Sequence, residues 1–498
     1  MGRKGFDASL AERHPVWEVT ELDASSGLND VKSHFKNGGA LAVKKKKSKI
    51  GAEIPKLEAL EQINFNAAGL DIGDEEIYVA VPEGRDEVSV RVFRTFTVDL
   101  YALADWLESC GVDTVAMEST GVYWIPIYDI LETRGVEVYL VNARHIKNVS
   151  GRKTDILDCQ WILQLHTYGL LQASFRPAEE IRALRALVRH RENLIKSMTR
   201  EIQHMQKALQ QMNVKLNNVI SDLTGVTGML IVRDIVAGER NPRKLAQHRN
   251  EHCAKSEAEI AKSLQGHYKP EHVFELKQAL AGYDFYQRQI KECDVEIERR
   301  YAGLEPRNDG DDTPLSPPKR KRNKTSKNAP DFDLRLHLYR WAGVDLTQID
   351  GPDVLTIQKV LTEIGVDMSP WSTVKHFTSW LGLCPHNDKT GGKVIKRGTK
   401  KTQNRAAAAL RMAAQSLVHS KSALGTYHRR MRAKLGKPEA VTASAHKLAR
   451  IIYAMLKNQT EYVDPGQGYY EEQARQRALK RLKRSAQDLG FEIIPVAS

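Results

Sequence analysis

Ala67-Ala68-Gly69-Leu70-Asp71-Ile72-Gly73 is the stretch on which the fold turns. Its apolar run predicts a strand over Ala67–Ile72, with one aspartate set into it. A carboxylate among residues that face a sheet interior is costly unless something compensates it. A metal ion is one compensation; a turn capped through Gly73 is the other, and the stretch by itself leaves both open. Working outward, Ile77–Val81 and Val88–Phe96 read as further strands. A helix follows over Asp99–Cys110, with Asp99 as its expected N-cap. Thr114–Met117 reads as a short buried strand, Val122–Arg134 as a helix stopped by Gly135, and Val136–Val141 as another strand. Thr154–Tyr168 then reads as a helix capped by Thr154. Three strands in succession, followed by alternating helix and strand, predict a mixed sheet covered by helices. This is the order expected of an α/β domain of the ribonuclease-H type, spanning 65–175.

Three more carboxylates stand at informative places in that domain. Met117-Glu118-Ser119-Thr120-Gly121 puts a glutamate at a strand end, where open α/β sheets gather their ligands. Lys153-Thr154-Asp155-Ile156-Leu157-Asp158 opens a helix with two aspartates three residues apart, which share one face. Acidic residues also favour a first helical turn for its dipole alone, so neither aspartate decides anything singly. As a set, Asp71, Glu118, Asp155 and Asp158 suit a hard cation such as Mg²⁺ or Mn²⁺, which takes oxygen ligands and keeps several waters. Ions held so can stabilise the attacking and leaving oxygens of a phosphoryl transfer. The basic run between them (Arg144, His145, Lys147, Arg152, Lys153) suits a nucleic-acid backbone.

The 498-residue chain carries 75 Lys and Arg against 62 Asp and Glu, a formal net charge of +13, which favours a polyanionic partner and nucleic acid first. Five scattered cysteines, with no CxxC pair, argue against a disulfide framework or a structural zinc site. No apolar run is long enough for a bilayer and the charged start is no signal peptide, so a cytoplasmic, nucleoid-associated location is expected.

Residues 1–64 read as a basic, largely disordered extension with a lysine run at Lys44–Lys47 and Lys49. Region 176–306 carries two heptad seams. One runs through Leu184, Val188, Ile195, Met198, Ile202, Met205, Leu209, Met212 and Leu216, interrupted by Arg191. The other runs through Val273, Leu276, Leu280, Tyr283, Gln287, Ile290, Ile297 and Leu304, interrupted by Asp294. They predict coiled-coil arms, paired within one chain or across a dimer. Region 307–330 is a basic linker with Pro317-Pro318 and Lys319–Arg322. Region 331–460 reads as a mainly α-helical C-terminal domain. In it, the Ile349–Pro352 turn is a candidate for gripping a backbone through its amides, and Trp371, Phe377 and Trp380 read as core. A helix is expected over Asn404–Ser416, its small residues admitting a close neighbour. Region 461–498 reads as a charged, peripheral helical tail.

Several pieces in fixed order carry a family resemblance: Gly69–Gly73, Met117–Trp124 and Lys153–Asp158, then Trp380–Pro385, Gly391–Val394 and Asn404–Ala406. With them the chain resembles, from about Gly69 to Lys457, the DEDD insertion-sequence transposases. These pair a RuvC-like N-terminal domain with a distinctive C-terminal transposase domain. The resemblance implies site-specific recombination of DNA, at element ends and target. It also implies Mg²⁺ on the four carboxylates, a covalent phospho-enzyme link through a C-terminal hydroxyl, a homodimer or homotetramer, and for some members an element-encoded bridge RNA. The family's usual serine before the glycine pair is Thr390 here, in Asn387-Asp388-Lys389-Thr390-Gly391-Gly392-Lys393. Threonine offers a hydroxyl, with a methyl that stiffens χ1. Lys393, Lys396, Arg397, Lys400, Lys401 and Arg405 follow closely, as do groups that neutralise phosphates. A site-specific invertase of the same family, a RuvC-like junction endonuclease that needs no Thr390, and an inactive DNA-binding relic are the other readings weighed.

Overall fold

The computed structural model describes residues 41–42, 60–119, 121–142, 154–307, 315, 317, 328–391, 393–396, 398–400 and 404–492. Two compact units divide it, Met1–Arg176 and Pro177–Ser498.

In the first unit the main sheet contains β2 (Ala67–Ile72), β3 (Glu76–Ala80), β4 (Val90–Arg94), β5 (Thr114–Glu118) and β6 (Glu137–Val141), with the two-residue β1 (Leu41–Ala42) at one edge. The order is β1-β4-β3-β2-β5-β6. β3 runs antiparallel to both of its neighbours, β4 and β2, whereas β2, β5 and β6 are parallel. Among the described residues three helices flank it: α1 (Thr97–Ser109), α2 (Trp124–Thr133) and α3 (Asp155–Thr167). The mixed sheet with flanking helices fits the ribonuclease-H-like α/β arrangement expected from the strand order. One expected cap fails. Helix α1 begins two residues earlier, with Phe96 as N-cap, and Asp99 lies inside its first turn. Thr154 does cap α3, its hydroxyl accepting from the Leu157 amide at 3.3 Å.

The pleat sorts side chains between two cores. Leu70, Ile72, Val115 and Met117 face α1 and α2, packing with Leu103, Leu107, Ile127 and Leu131. The alternate positions face α3, where Ala116 and Val141 meet Ile162 and Leu165. Gly69 stands on that second face. A Cβ there would lie 2.3 Å from the Leu163 amide nitrogen and 2.4 Å from the Cys159 carbonyl oxygen. Helix α3 therefore rests backbone-to-backbone on β2, a contact that only glycine permits.

The second unit opens with two 33-residue helices, α4 (Glu179–Gln211) and α8 (Pro270–Ala302). They pack antiparallel within the chain. Gly282 meets Glu201, while the Cys293 thiol reaches the Leu187 carbonyl at 3.6 Å. The two charged interruptions of the seams are each other's partners. Arg191 (5% exposed) and Asp294 (4%) form a two-pronged buried ion pair, with Nη2 to Oδ2 at 3.1 Å. Three of the expected seam residues fall outside the helices: Met212 is the C-cap of α4, Leu216 lies in a 3-10 turn, and Leu304 follows α8. At the outer end, α5 (Val226–Ala237), α6 (Pro242–Ala246) and α7 (Glu257–Ser263) pack into a core with Met205, Leu209, Leu276 and Leu280.

Helices α9 (Leu334–Ala342), α10 (Val354–Ile364), α11 (Val374–Trp380), α12 (Arg405–Ser416), α13 (Ala423–Leu435), α14 (Lys437–Asn458) and α15 (Gly466–Asp488) complete the described secondary structure with a two-stranded hairpin, β7 (Asp388–Thr390) and β8 (Lys393–Lys396). The small residues of α12 are buried as expected: Ala406, Ala407, Ala413 and Ala414. Trp371 and Phe377 are core, with ring centroids 5.0 Å apart. The Ile349–Pro352 turn is packed against α12 and the 3-10 turn after it. Gly351 packs against Ala413 and Leu417, and its carbonyl accepts from the Ser416 hydroxyl at 3.2 Å.

Two stability outcomes follow from these packings. Gly69→Ala should cost about 1–3 kcal/mol or more, because backbone rather than a yielding side chain meets the new methyl; an unchanged thermal midpoint would contradict the close approach. Arg191→Met alone should cost about 3–5 kcal/mol by stranding the Asp294 carboxylate. The Arg191→Met/Asp294→Leu double variant should recover most of that loss in the same melts.

Candidate active site

Asp71 takes its place from strand parity. Gly69 pairs with Ala116 and Leu70 with Met117, so the parallel ladder continues Asp71 beside Glu118. Neighbouring strands lie about 4.8 Å apart. Both carboxylates belong to the set of positions that faces α3, since Leu70, Ile72, Val115 and Met117 fill the opposite core. Helix α3 brings Asp155 and Asp158 in its first turn. Its descent onto Gly69 carries that turn toward the end of β2.

Three of the carboxylates act on the fourth, Asp71. Burial pushes the Asp71 carboxyl up to about 6, and the charges of Asp158, Asp155 and Glu118, in that order, push the same way. Only the Ile72 amide opposes them, and among the described residues no cation lowers it. The same field reaches further. Tyr78, paired with Asp71 across the ladder, is raised by burial, by Glu76 and then by Asp155 and Asp71. The buried Cys159 thiol is raised by burial and by Asp71. Among the described residues no three acidic, imidazole or thiol groups are drawn together as a closed ligand set. The arrangement is thus a convergence of negative charge on one half-buried carboxyl, Asp71. That donor chemistry fits a hard divalent cation, and a soft thiolate-binding metal much less. Arg144, His145, Lys147, Arg152 and Lys153, expected beside these groups, lie outside the described residues, as does Thr120.

Thr390 belongs to the second unit. It ends β7 and pairs with Lys393 of β8, with Gly391 following it in the turn. Gly391 has φ +55°, the left-handed conformation that the first position of a type I′ turn requires. The Thr390 side chain is exposed at the tip. This strand pair is an addition to the mainly α-helical domain expected over 331–460. A glycine pair between short apolar-basic runs is itself a hairpin signal, and it was legible. Lys393 and Lys400 are exposed, as phosphate-facing groups must be. Arg397 and Lys401 lie outside the described residues, and so does the Lys396 side chain. Arg405 is engaged within its own unit. It is paired with Glu192 of α4, and its Nε stands 3.5 Å from Glu363. Glu363 also takes two bonds from Arg189, at 2.9 and 2.6 Å, and Glu192 takes Lys359 at 2.7 Å. Arg405 thereby fixes the start of α12, just beyond the hairpin, to α4.

Comparison with protein-family models covers both units. A DEDD transposase model, described as Transposase, matches residues 68–214, a span that holds all four carboxylates. A second matches residues 343–429, which include Thr390. The chain is therefore a transposase, a DNA-processing protein. The second model is described as Transposase IS116/IS110/IS902 family, and the two matches together support recognition of the chain as a transposase of that kind. No curated protein matches it. No described helix is long and apolar enough to cross a membrane.

A pH-dependent outcome follows for Asp71. Its folded value of about 6 lies above the ordinary 3.8, so the fold prefers the protonated form. That preference is complete below about pH 3.8 and is lost as pH rises through 6, leaving ionised Asp71 a burden on the order of 1–3 kcal/mol in the absence of metal. In EDTA, Asp71→Asn should melt higher than wild type at pH 7–8, and the two should converge near pH 4. Parallel curves across that range would refute the convergence of charge.

Proposed function

We propose that the chain moves an insertion element by cutting and rejoining DNA through a covalent link to Thr390, with Asp71, Glu118, Asp155 and Asp158 holding Mg²⁺ or Mn²⁺. The observation that carries this reading is the convergence of three carboxylate charges on a fourth, half-buried one. When bound, the metal supplies Lewis-acid charge at the phosphate oxygens. Asp71 and Glu118, fixed on adjacent strands, and Asp155 and Asp158, fixed by a capped first turn, act as preset oxygen donors.

Thr390 supplies the nucleophile. Its Oγ1 loses a proton to water and forms a bond to the DNA phosphorus. The strand's own P–O bond breaks, and the departing oxygen takes up a proton to become a free hydroxyl. Rejoining reverses these steps, so no oxidant, reductant or nucleotide is consumed. The exposed hairpin tip suits a nucleophile that must reach a backbone phosphate. Lys393 and Lys400 serve as phosphate-neutralising neighbours. The groups at Arg144, Lys147, Arg152, Lys153, Lys396, Arg397 and Lys401 are assigned the same work on sequence alone. Guidance by an element-encoded bridge RNA, and action as a homodimer or homotetramer, rest on the family resemblance.

Circle formation from a supercoiled plasmid bearing the element's flanks tests the chemistry. Thr390→Ala and Asp71→Ala should each lower the rate by on the order of 10³-fold or more, and Thr390→Ser should retain it. A protein–DNA adduct that persists in Thr390→Ala overturns the nucleophile. Undiminished activity in EDTA overturns the metal. Mg²⁺ should also raise the wild-type melting midpoint at pH 7.5 and leave that of Asp71→Asn unmoved.

A further inference from the structure

Away from the hairpin, α13, α14 and α15 border an open hollow of about 300 Å³, and α11, α13 and α14 border an adjoining one of about 540 Å³; the two share Tyr427, Lys447 and Ile451. The Lys447 ammonium stands over two rings, 4.7 Å from the centre of Tyr427 and 5.5 Å from that of Tyr470. Those rings meet edge to face at 6.1 Å. Arg477 enters the first hollow with Tyr462 and Tyr469, and His446 and Arg450 enter the second with Tyr453. No aspartate or glutamate lines either one. Asp464, close to Tyr462, is occupied by the backbone amides of Ala423 and Gly466, each at 3.2 Å. The other carboxylate near that phenol is Asp350.

Packing like charges together without a counter-ion is unfavourable. Lys447 is depressed by burial and then by Arg450 and Arg477, and His446 by burial and by Arg450. Lys447 is half-buried, with Arg450 and Arg477 exposed beside it, and unlike Arg191 and Arg335, which Asp294 and Asp345 answer, it faces rings rather than a carboxylate. A cationic hollow left unanswered, and walled with tyrosines, has the chemistry of a site for an oxyanion joined to an aromatic group. A phosphate ester next to a base meets both demands: the phosphate takes the cations and the base takes the rings. The bases of a duplex are stacked and shielded, whereas an unpaired base is free to enter a hollow of this size.

We propose that the Lys447 hollow binds a nucleotide phosphate together with its unpaired base, separately from the Thr390 hairpin. That the nucleotide belongs to a strand rests on the transposase reading; the cationic, aromatic hollow does not.

The test is equilibrium binding of a fluorescein-labelled oligothymidylate to the full-length protein in EDTA, where no strand is cut. Lys447→Gln and Arg450→Gln/Arg477→Gln should each weaken binding by about tenfold or more, and the salt dependence should become shallower by about 0.7 in log–log slope per cation removed. Lys447→Arg should restore most of the affinity, and circular dichroism should show each variant folded. Binding is read in EDTA, where no adduct forms, so a failed adduct assay leaves this result standing. Competition by thymidine 5′-monophosphate would assign the hollow to single nucleotides, and its absence would assign it to a strand; inorganic phosphate alone should compete poorly. The proposal is overturned if the folded Lys447 and arginine variants keep wild-type affinity and slope, if wild type does not bind the strand, or if duplex competes as well as single strand.

Discussion

The first unit depends on the contact between Gly69 and the backbone of α3. A helix normally stands off a sheet by the thickness of its side chains. Here the missing Cβ lets the Cys159 carbonyl and the Leu163 amide descend onto β2. The N-terminal turn of the same helix bears Asp155 and Asp158, so closeness at Gly69 becomes closeness of charge at Asp71 two residues along the strand. Without that approach the four carboxylates would be separate surface acids, and Asp71 would have little reason to depart from ordinary behaviour. The stabilising work is done by apolar packing at Leu70, Met117, Ile127 and Leu131, and it holds in place a polar cluster that is itself unfavourable.

Much of this unit was legible in the sequence because periodicity and composition agreed there. The strand and helix expectations from Ala67 to Tyr168 fall within a few residues of the observed elements, and Thr154 caps α3 as its position suggested. Asp99 shows where local reasoning stops. An aspartate two positions into a helix is as favourable as one at its start, and the chain enters α1 from the extended Phe96 instead. The role of Gly69 was open to the rule that strand glycines mark close backbone approach, but its partner, helix α3, lies some ninety residues on. The facing directions of Asp71 and Glu118 needed the register of β2 against β5, which no single stretch encodes.

In the second unit the informative residues were those that broke the pattern. Arg191 and Asp294 each spoil an apolar seam, and each was a defect when read alone. Together they fix which turn of α4 meets which turn of α8. Arg405 teaches the opposite lesson. Its basic neighbours made it a phosphate contact by association, whereas Glu192 and Glu363 claim it for the protein. A cation's neighbours in sequence say little about its neighbours in space.

The buried Arg191–Asp294 pair lies toward the end of the long helices where α4 begins and α8 finishes, and the small three-helix cap lies at the other. Register set from the inner end leaves the outer length unconstrained. Equal additions or removals of whole heptads in both helices, beyond Ile195 and before Ile290, would preserve the pairing and shift only the cap. The arm is in that sense an adjustable spacer, able to evolve in reach by matched steps while the rest of the unit stays as it is.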